Sequence, residues 1–381
     1  MVFAGGDGTE QNPYQITTLA QLDEVKNDLT AHYMLMNDID ASDTVNWINI
    51  ELGLIGFVPI GCSSLDVYFS GCFDGNGHSV KNIYIESSNV WDLSLFGVTS
   101  SIAKIRNLGL IDPITRGLGT GEIGSLVGWN EGLVENCYTA GGTAFGTWAV
   151  ASFIAYNSGG IIRNCYSINC DVQGEESSGF VTFSNDNAQI INCYTSCTTQ
   201  SSDYYNTGFI RWSDSSNGVT NCYFDIDYSD LNIDDSFLGT GLTTTEMKTQ
   251  SSYTNWDFEN TWIMINDDYP TLRVFNELQN PPSTAPIITI ANITTTKISD
   301  EIGKDICTVT FTTDQDIVEW EARADGNGAG QGDLVGSGIG PITVGTEITF
   351  DIENEELTFG NKTYRINIYG QNEQGVWSEY E

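Results

Sequence analysis

Positive charge is what this chain has least of. Its 381 residues carry 14 Lys plus Arg against 51 Asp plus Glu, a formal net charge of −37. That balance argues against a nucleic-acid partner, whose phosphates need Lys and Arg. It also argues against an anionic membrane surface. It suits a solvated extracellular or virion surface, or one that meets salt or divalent cations. Histidine is nearly absent: His32 and His78 are the only two. No Cys-x-x-Cys occurs among the nine cysteines, so a zinc site is not expected. No run approaches the ~18 apolar residues of a membrane span, so no membrane insertion is expected. Met1-Val2-Phe3-Ala4 enters Gly5-Gly6-Asp7-Gly8 with neither a basic nor an apolar leader. Such an opening is expected of a chain whose signal was removed, or of one that never enters a secretion pathway. Nucleophile elbow, phosphate loop and His-based triad are all missing, so no enzymatic activity is expected.

What the chain does have is a repeat. Asn-Cys-Tyr recurs at Asn136, Asn164, Asn192 and Asn221, at intervals of 28, 28 and 29 residues, and Arg106-Asn107-Leu108 is a degenerate copy 29 residues upstream. An apolar cluster precedes each Asn: Ser94 to Gly97, Ser125 to Gly128, Ser152 to Ala155, Gly179 to Thr182, and Gly208 to Arg211. Polar Gly/Asn/Ser turns such as Trp129-Asn130-Glu131-Gly132 separate cluster from Asn, and β-rich stretches such as Ile161-Ile162-Arg163 follow. This region has no long helical period. Short strands at a fixed period predict a parallel β-helix, with coils stacked at about 4.8 Å. One coil cannot bury its own apolar face; stacking buries it.

Equivalent residues then form ladders. Phe96, Leu126, Phe153, Phe180 and Phe209 are expected as one inward ladder, and Cys137, Cys165, Cys193 and Cys222 as another, with the Tyr residues on the opposite strand face. The ladder cysteines read as small buried hydrophobes, and Cys62 with Cys72 is the pair best placed in sequence for a disulfide. Asn at a coil corner tolerates left-handed backbone and can bond its stacked copy. Thr18 is placed to N-cap a helix over Leu19 to Leu29 that closes the solenoid's open end. Trp256, Phe258 and Trp262 are expected to cover the last coil.

Gly5-Gly6-Asp7-Gly8-Thr9, Pro13-Tyr14-Gln15-Ile16, Tyr33 to Asp40, Phe73-Asp74-Gly75-Asn76-Gly77-His78, the repeats and the closing Tyr269-Pro270-Thr271-Leu272 together resemble bacterial and phage surface proteins with the GLUG motif. The resemblance covers about residues 5 to 273. It implies a right-handed β-helix and an adhesin-like role with no defined enzymatic activity. Ala155, Thr182 and Arg211 replace the motif's final Gly, so the later coils are expected to be less regular. Residues 280–286 form a proline-rich linker. The rest, 287–381, alternates as strands: Ile287 to Ala291, Ile306 to Thr312, Ile317 to Ala322, Thr346 to Ile352, Tyr364 to Tyr369 and Val376 to Ser378. A turn cluster spans Asp325 to Gly340, and Trp320 is a candidate core residue. This pattern resembles immunoglobulin-like or fibronectin type III modules and implies a β-sandwich. The expected fold class is therefore all-β. A parallel β-helix with an N-terminal capping helix fills 1–279, and an immunoglobulin-like sandwich follows the linker.

Two kinds of residue are candidates for function. Trp129, Trp148, Tyr156, Tyr205 and Trp212 lie in or near turns, with Arg211 flanking Trp212; aromatic faces stack on sugars, so these are the glycan-binding candidates. Asp225, Asp227 and Asp230 are the metal candidates: calcium needs several oxygen ligands at short range, and a hydrolase needs two placed carboxylates. A solvated loop explains them better, so no cofactor is expected, with calcium as the alternative. Asp74 to His78 and Asp325 to Gly330 resemble calcium loops in part and read better as turns. The function these features favour is a non-enzymatic virion surface protein: a tail fibre, receptor-binding or decoration protein that holds a host cell-surface glycan. Its sandwich would contact other virion proteins, and a homo-oligomer is compatible with it. The alternative is a cell-surface adhesin fragment of a bacterium or archaeon. A glycan depolymerase is the third reading.

Overall fold

The computed structural model describes residues 3–275 apart from 120, 201–204, 215–217, 230–237 and 266–267, with the backbone alone of Tyr205 and Ser229; beyond residue 275 it describes the backbone of six strands. The chain divides into two units, Met1–Gln279 and Asn280–Glu381.

The first unit is a β-solenoid. Its coils pass through four stacked columns of short strands and, between the second and the third, a further stack of Tyr84–Ser87, Ile114–Gly117 and Thr143–Phe145 that merges with the second at Tyr166–Gln173. The first column runs from Tyr14–Ile16 through His32–Leu35, Cys72–Asp74, Lys104–Arg106, Leu133–Glu135, Ile161–Arg163 and Gln189–Ile191 to Val219–Thr220. The second contains Gly109–Ile111, Tyr138–Ala140, Tyr166–Gln173, Tyr194–Gln200 and Tyr223–Asp225. The third stacks Asp92–Leu93, Glu122–Ile123, Ala149–Ala151, Glu176–Ser178 and Tyr205–Thr207. The fourth stacks Phe96–Thr99, Val127–Asn130, Ile154–Ser158, Val181–Asn185 and Ile210–Ser213. Neighbouring coils pair in parallel, with equivalent residues in register.

The Asn of each repeat makes the corner between the first and second columns. Asn107, Asn136, Asn164, Asn192 and Asn221 all sit at φ between 51° and 53°, the left-handed region that Asn enters more cheaply than most residues. Their side-chain amides form a chain: Asn221 donates to Asn192 at 3.1 Å, Asn192 to Asn164 at 3.4 Å, Asn164 to Asn136 at 3.4 Å and Asn136 to Asn107 at 3.2 Å. Asn107 in turn donates to the Asp74 carboxylate at 3.0 Å. Beyond each corner the chain alternates faces. Cys137, Cys165, Cys193 and Cys222 point into the core, where the Cys137 amide donates to Cys165 Sγ at 3.4 Å. Tyr138, Tyr166 and Tyr194 point out, stacked at 5.1 and 5.2 Å with rings within 6° of parallel.

Three expectations need correction. The inward ladder is Leu95, Leu126, Phe153, Phe180 and Phe209; Phe96 pairs with Val127, one residue along, and belongs to the row of Ile154, Val181 and Ile210. Both rows are fully buried, which is why composition alone did not separate them. The capping helix is Leu19–Glu24, capped by Thr18 as expected, and continues only as a 3-10 turn over Val25–Asn27. Asp28 stops it: its carboxylate accepts the Thr30 amide at 3.1 Å, and its carbonyl is taken by the Tyr33 hydroxyl. Finally, the Trp-rich segment does more than cover the last coil. Met247, Tyr253, Trp256, Trp262, Leu272 and Phe275 pack along the outer Tyr row, and Phe275 meets Tyr138 edge-on at 4.6 Å. This strap hides a row of large rings that would otherwise face water.

The second unit contributes two three-stranded antiparallel sheets. Ile306–Thr313 lies between Ile288–Thr296 and Ile348–Ile352; Ile317–Asp325 lies between Asp333–Ile342 and Arg365–Gln371. Asp333–Ile342 is a strand where the sequence reads as a turn cluster, because glycine is compatible with a ladder that many other residues would fill better. The linker 280–286, the strand at Val376 to Ser378, the turn 326–330 and the side chain of Trp320 lie outside the described residues.

The eight cysteines with described side chains are free thiols and buried, Cys62 and Cys72 among them. Burial pushes the Cys137, Cys165 and Cys193 thiols well above their ordinary range. Alkylation of the native chain, mapped by mass spectrometry, should therefore modify these three at least ~100-fold more slowly than in denaturant. Rapid labelling of any one of them in the native chain would contradict the ladder.

Candidate functional site

The outer face of the fourth column carries one side chain per coil. Register aligns Val98, Trp129, Tyr156, Phe183 and Trp212 in a single row. The bridge between Phe69 and Thr99 brings Tyr68 to the head of it. Trp129 and Tyr156 stack at 4.2 Å with rings 5° from parallel. Phe183 tilts at 45° to Tyr156, 5.7 Å away, and Trp148 leans onto it from the third column at 5.8 Å. Trp212 ends the row and is 42% exposed.

Trp129, Trp148, Tyr156 and Trp212 are therefore brought to one face. Arg211 is beside them, but its guanidinium turns toward Glu176 at 3.6 Å. Tyr205 pairs by backbone with Glu176, and its side chain lies outside the described residues. Phe183 was missed. The signal for it was present: an aromatic stands three residues after Leu126, Phe153, Phe180 and Phe209 alike.

The polar surroundings are acidic. Trp129 Nε1 donates to Glu131 at 3.3 Å, the Tyr156 hydroxyl accepts from the Asn185 amide, and Ser158 donates to Asp186 at 2.7 Å. The geometry also limits what the row can do. Rings 4.2 Å apart occupy each other's faces, so Trp129 and Tyr156 offer mainly edges and polar tips to a ligand. Trp212 and Trp91, the latter 55% exposed, are the better-presented indoles.

Behind this row the third and fourth columns meet in a closed corner. A side chain at Gly128 would place its Cβ 2.8 Å from both the Asp92 Cβ and the Gly97 carbonyl oxygen. This is why the early coils need Gly at the end of the apolar cluster. In the fourth column the later coils stay in register without it: Ala155 is fully buried, the Thr182 hydroxyl donates to the Val150 carbonyl at 2.9 Å, and Arg211 faces Glu176. The irregularity expected of them falls in the second column, where the pairing of Tyr166–Gln173 with Tyr194–Gln200 shifts register between Ile168 and Asp171. Within the corner Glu122 lies in register with Asp92, and the two are 6% and 2% exposed. Burial first, and the Asp92 carboxylate second, push the Glu122 carboxyl up to about 7.

The metal candidates separate. Asp225 is fully buried; its carboxylate accepts from the amides of Asp227 and Tyr228, both at 2.9 Å, and from the hydroxyls of Thr244 and Tyr269. It is a structural cap that ties the turn at Ile226–Ser229 to the strap. Asp227 accepts the Thr244 amide at 3.0 Å, and Asp230 lies outside the described residues. Among the described residues, no group of three or more His, Cys, Asp or Glu could hold a metal ion. Asp74 to His78 is a turn, in which Asp74 accepts the Asn76 amide at 2.8 Å.

No family model matches this chain, and no solved structure matches it. Two curated proteins are similar over part of it. One, from Evansella cellulosilytica, is called by its name a Gly-rich membrane protein; it is 37% identical over 138 residues, 35% of this chain and 15% of that protein. The other is halomucin from Haloquadratum walsbyi, 34% identical over 146 residues, 37% of this chain and 2% of that protein. The chain thus spans a small part of either relative's length. No described helix is long and apolar enough to cross a membrane.

The corner makes a direct prediction. Gly128→Val should cost about 3 kcal/mol, because the new Cβ meets backbone that cannot yield. Ala155→Gly, one coil beyond Gly128, should cost about 1 kcal/mol or less. Denaturant midpoints of the two variants check the contrast.

Proposed function

We propose that this chain is a non-enzymatic segment of a bacterial or archaeal cell-surface protein whose solenoid presents an aromatic, acidic face for adhesion to a glycan. One observation carries the reading: an outward row of aromatic side chains on consecutive coils, reinforced by Trp148 and bordered by hydroxyls, amides and carboxylates. Weak contacts repeated along a rod add through avidity. Relatives named as a membrane protein and as halomucin support a surface location, and neither name points to a virion. The virion display that the sequence favoured therefore gives way to the adhesin fragment. The likeness to GLUG-motif proteins, the right-handed winding and the packing of the C-terminal sheets as an immunoglobulin-like sandwich belong to the same proposal. Carboxylates here orient hydroxyls and keep the surface solvated; they cleave nothing.

Retention of the intact chain on immobilised cell-surface polysaccharides tests this. Trp212→Ala and Phe183→Ala should each weaken retention several-fold, roughly 1 kcal/mol per lost ring contact. Asp227→Asn should leave it unchanged, and the polysaccharide should keep its length. Shortened chains would make the protein a depolymerase. Failure to be retained on any envelope polysaccharide would leave a purely structural surface protein.

A further inference from the structure

Among the described residues, the closed corner behind the aromatic row holds two carboxyl groups, Asp92 and Glu122, and no basic side chain. Along this seam the third column presents Asp92, Glu122, Ala149 and Glu176 on successive coils. Glu176 has Arg211 facing it at 3.6 Å. Asp92 has Ser63, whose hydroxyl donates to its carboxylate. Glu122 has neither: among the described residues, no other side chain bonds its carboxyl, although it is only 6% exposed. The residues opposite are Gly97, Gly128 and Ala155, which leave no basic group within the corner and no room for one.

Two carboxylates in register on adjacent coils, whose strands lie about 4.8 Å apart, cannot both ionise cheaply in residues only 2% and 6% exposed. The remaining titratable groups around Glu122 do not help. The Tyr156 phenol lies in the fourth column and stays neutral, Tyr68 stands beyond Asp92 with its hydroxyl bonded to Asp66 at 2.8 Å, and Glu176 is engaged by Arg211.

We propose that the Asp92–Glu122 pair retains one proton in this corner, and that losing it loosens the seam between the third and fourth columns that supports the Trp129–Tyr156 stack. The aromatic face is then a pH-sensitive surface, well ordered on the acid side of neutrality and loosened on the alkaline side. This holds whether or not the face binds a glycan. The sign follows from linkage. Glu122 holds its proton up to about pH 7 in the fold, against an ordinary value of 4.5. The folded chain therefore binds more protons than the unfolded one between those values. Stability present below 4.5 is lost as pH rises through 7.

The test follows thermal unfolding of the full chain by tryptophan fluorescence from pH 5 to pH 8, with chelator present. The wild-type midpoint should fall by about 5 °C or more beyond any fall seen in Glu122→Gln, which carries the neutral shape at every pH. Infrared spectroscopy of the unmutated chain supplies an arm that needs no variant: a protonated-carboxyl band should persist at pH 6, fall by about half near pH 7 and be nearly lost by pH 8. Equal slopes in wild type and Glu122→Gln would overturn the proposal. So would absence of that band, or removal of the pH response by millimolar calcium, which would make the corner a cation site.

Discussion

The solenoid depends on a corner that must be left-handed and must hydrogen-bond to its own copy. Asn meets both demands. It enters the positive-φ region at less cost than most residues, and its side chain carries donor and acceptor at once. Because every amide donates in the same direction, Asn221 to Asn192 to Asn164 to Asn136 to Asn107, the chain needs an acceptor at its end. Asp74 supplies one that donates nothing and is charged, which strengthens the last bond. Bonds aligned this way polarise one another. With the corners in register, Cys and Tyr immediately after each Asn have no choice of face: one goes to the core and the other to the outside.

Two outward aromatic rows result, and their fates differ. The Tyr row of the second column is covered by the strap from Met247 to Phe275, so its rings belong to a second core. The row from Trp129 to Trp212 in the fourth column is left half-exposed. A chain that spends some thirty residues covering one row leaves the other at the surface, bordered by Glu131, Asp186 and Asp214, whose carboxylate accepts the Asp186 amide at 2.8 Å. On the proposed reading, that difference in treatment, more than the presence of aromatics, singles out the fourth column as the binding face. In the proposal made above, the closed corner beneath it couples the face to protonation through the close packing of the Gly97 and Gly128 backbone against Asp92.

Much of this was legible in the sequence because the period was. Asn-Cys-Tyr repeats almost without drift, so the corner, the thiol ladder and the Tyr row could be placed before any coordinates. Four of the aromatics on the proposed binding face, Trp129, Trp148, Tyr156 and Trp212, were also in view. What escaped depends on register at the level of one residue. Phe96 and Leu95 are both apolar and both buried, and only pairing tells them apart. Phe183 escaped because only Trp and Tyr were sought, and in or near turns, whereas Trp129, Tyr156, Phe183 and Trp212 all stand at one position within strands. Asp92 and Glu122 precede their apolar clusters by two and three residues respectively, so their alignment is invisible in a linear count. The strap could not be foreseen, because nothing in Trp256 or Trp262 says which surface will receive them. Asp225 looked like a free carboxylate in an acidic run; burial beneath Tyr269 made it a cap.

The most direct measurement compares Asn164→Ala with Asn164→Gly in the full chain by denaturant unfolding. Both variants remove two bonds from the middle of the amide chain, and only alanine also opposes the left-handed backbone. Alanine should cost about 3 kcal/mol and glycine about 2 kcal/mol, the gap reflecting the conformational penalty that glycine escapes. Full stability in the alanine variant would contradict the corner's role, because a coil that tolerates alanine there needs neither the left-handed turn nor the ladder.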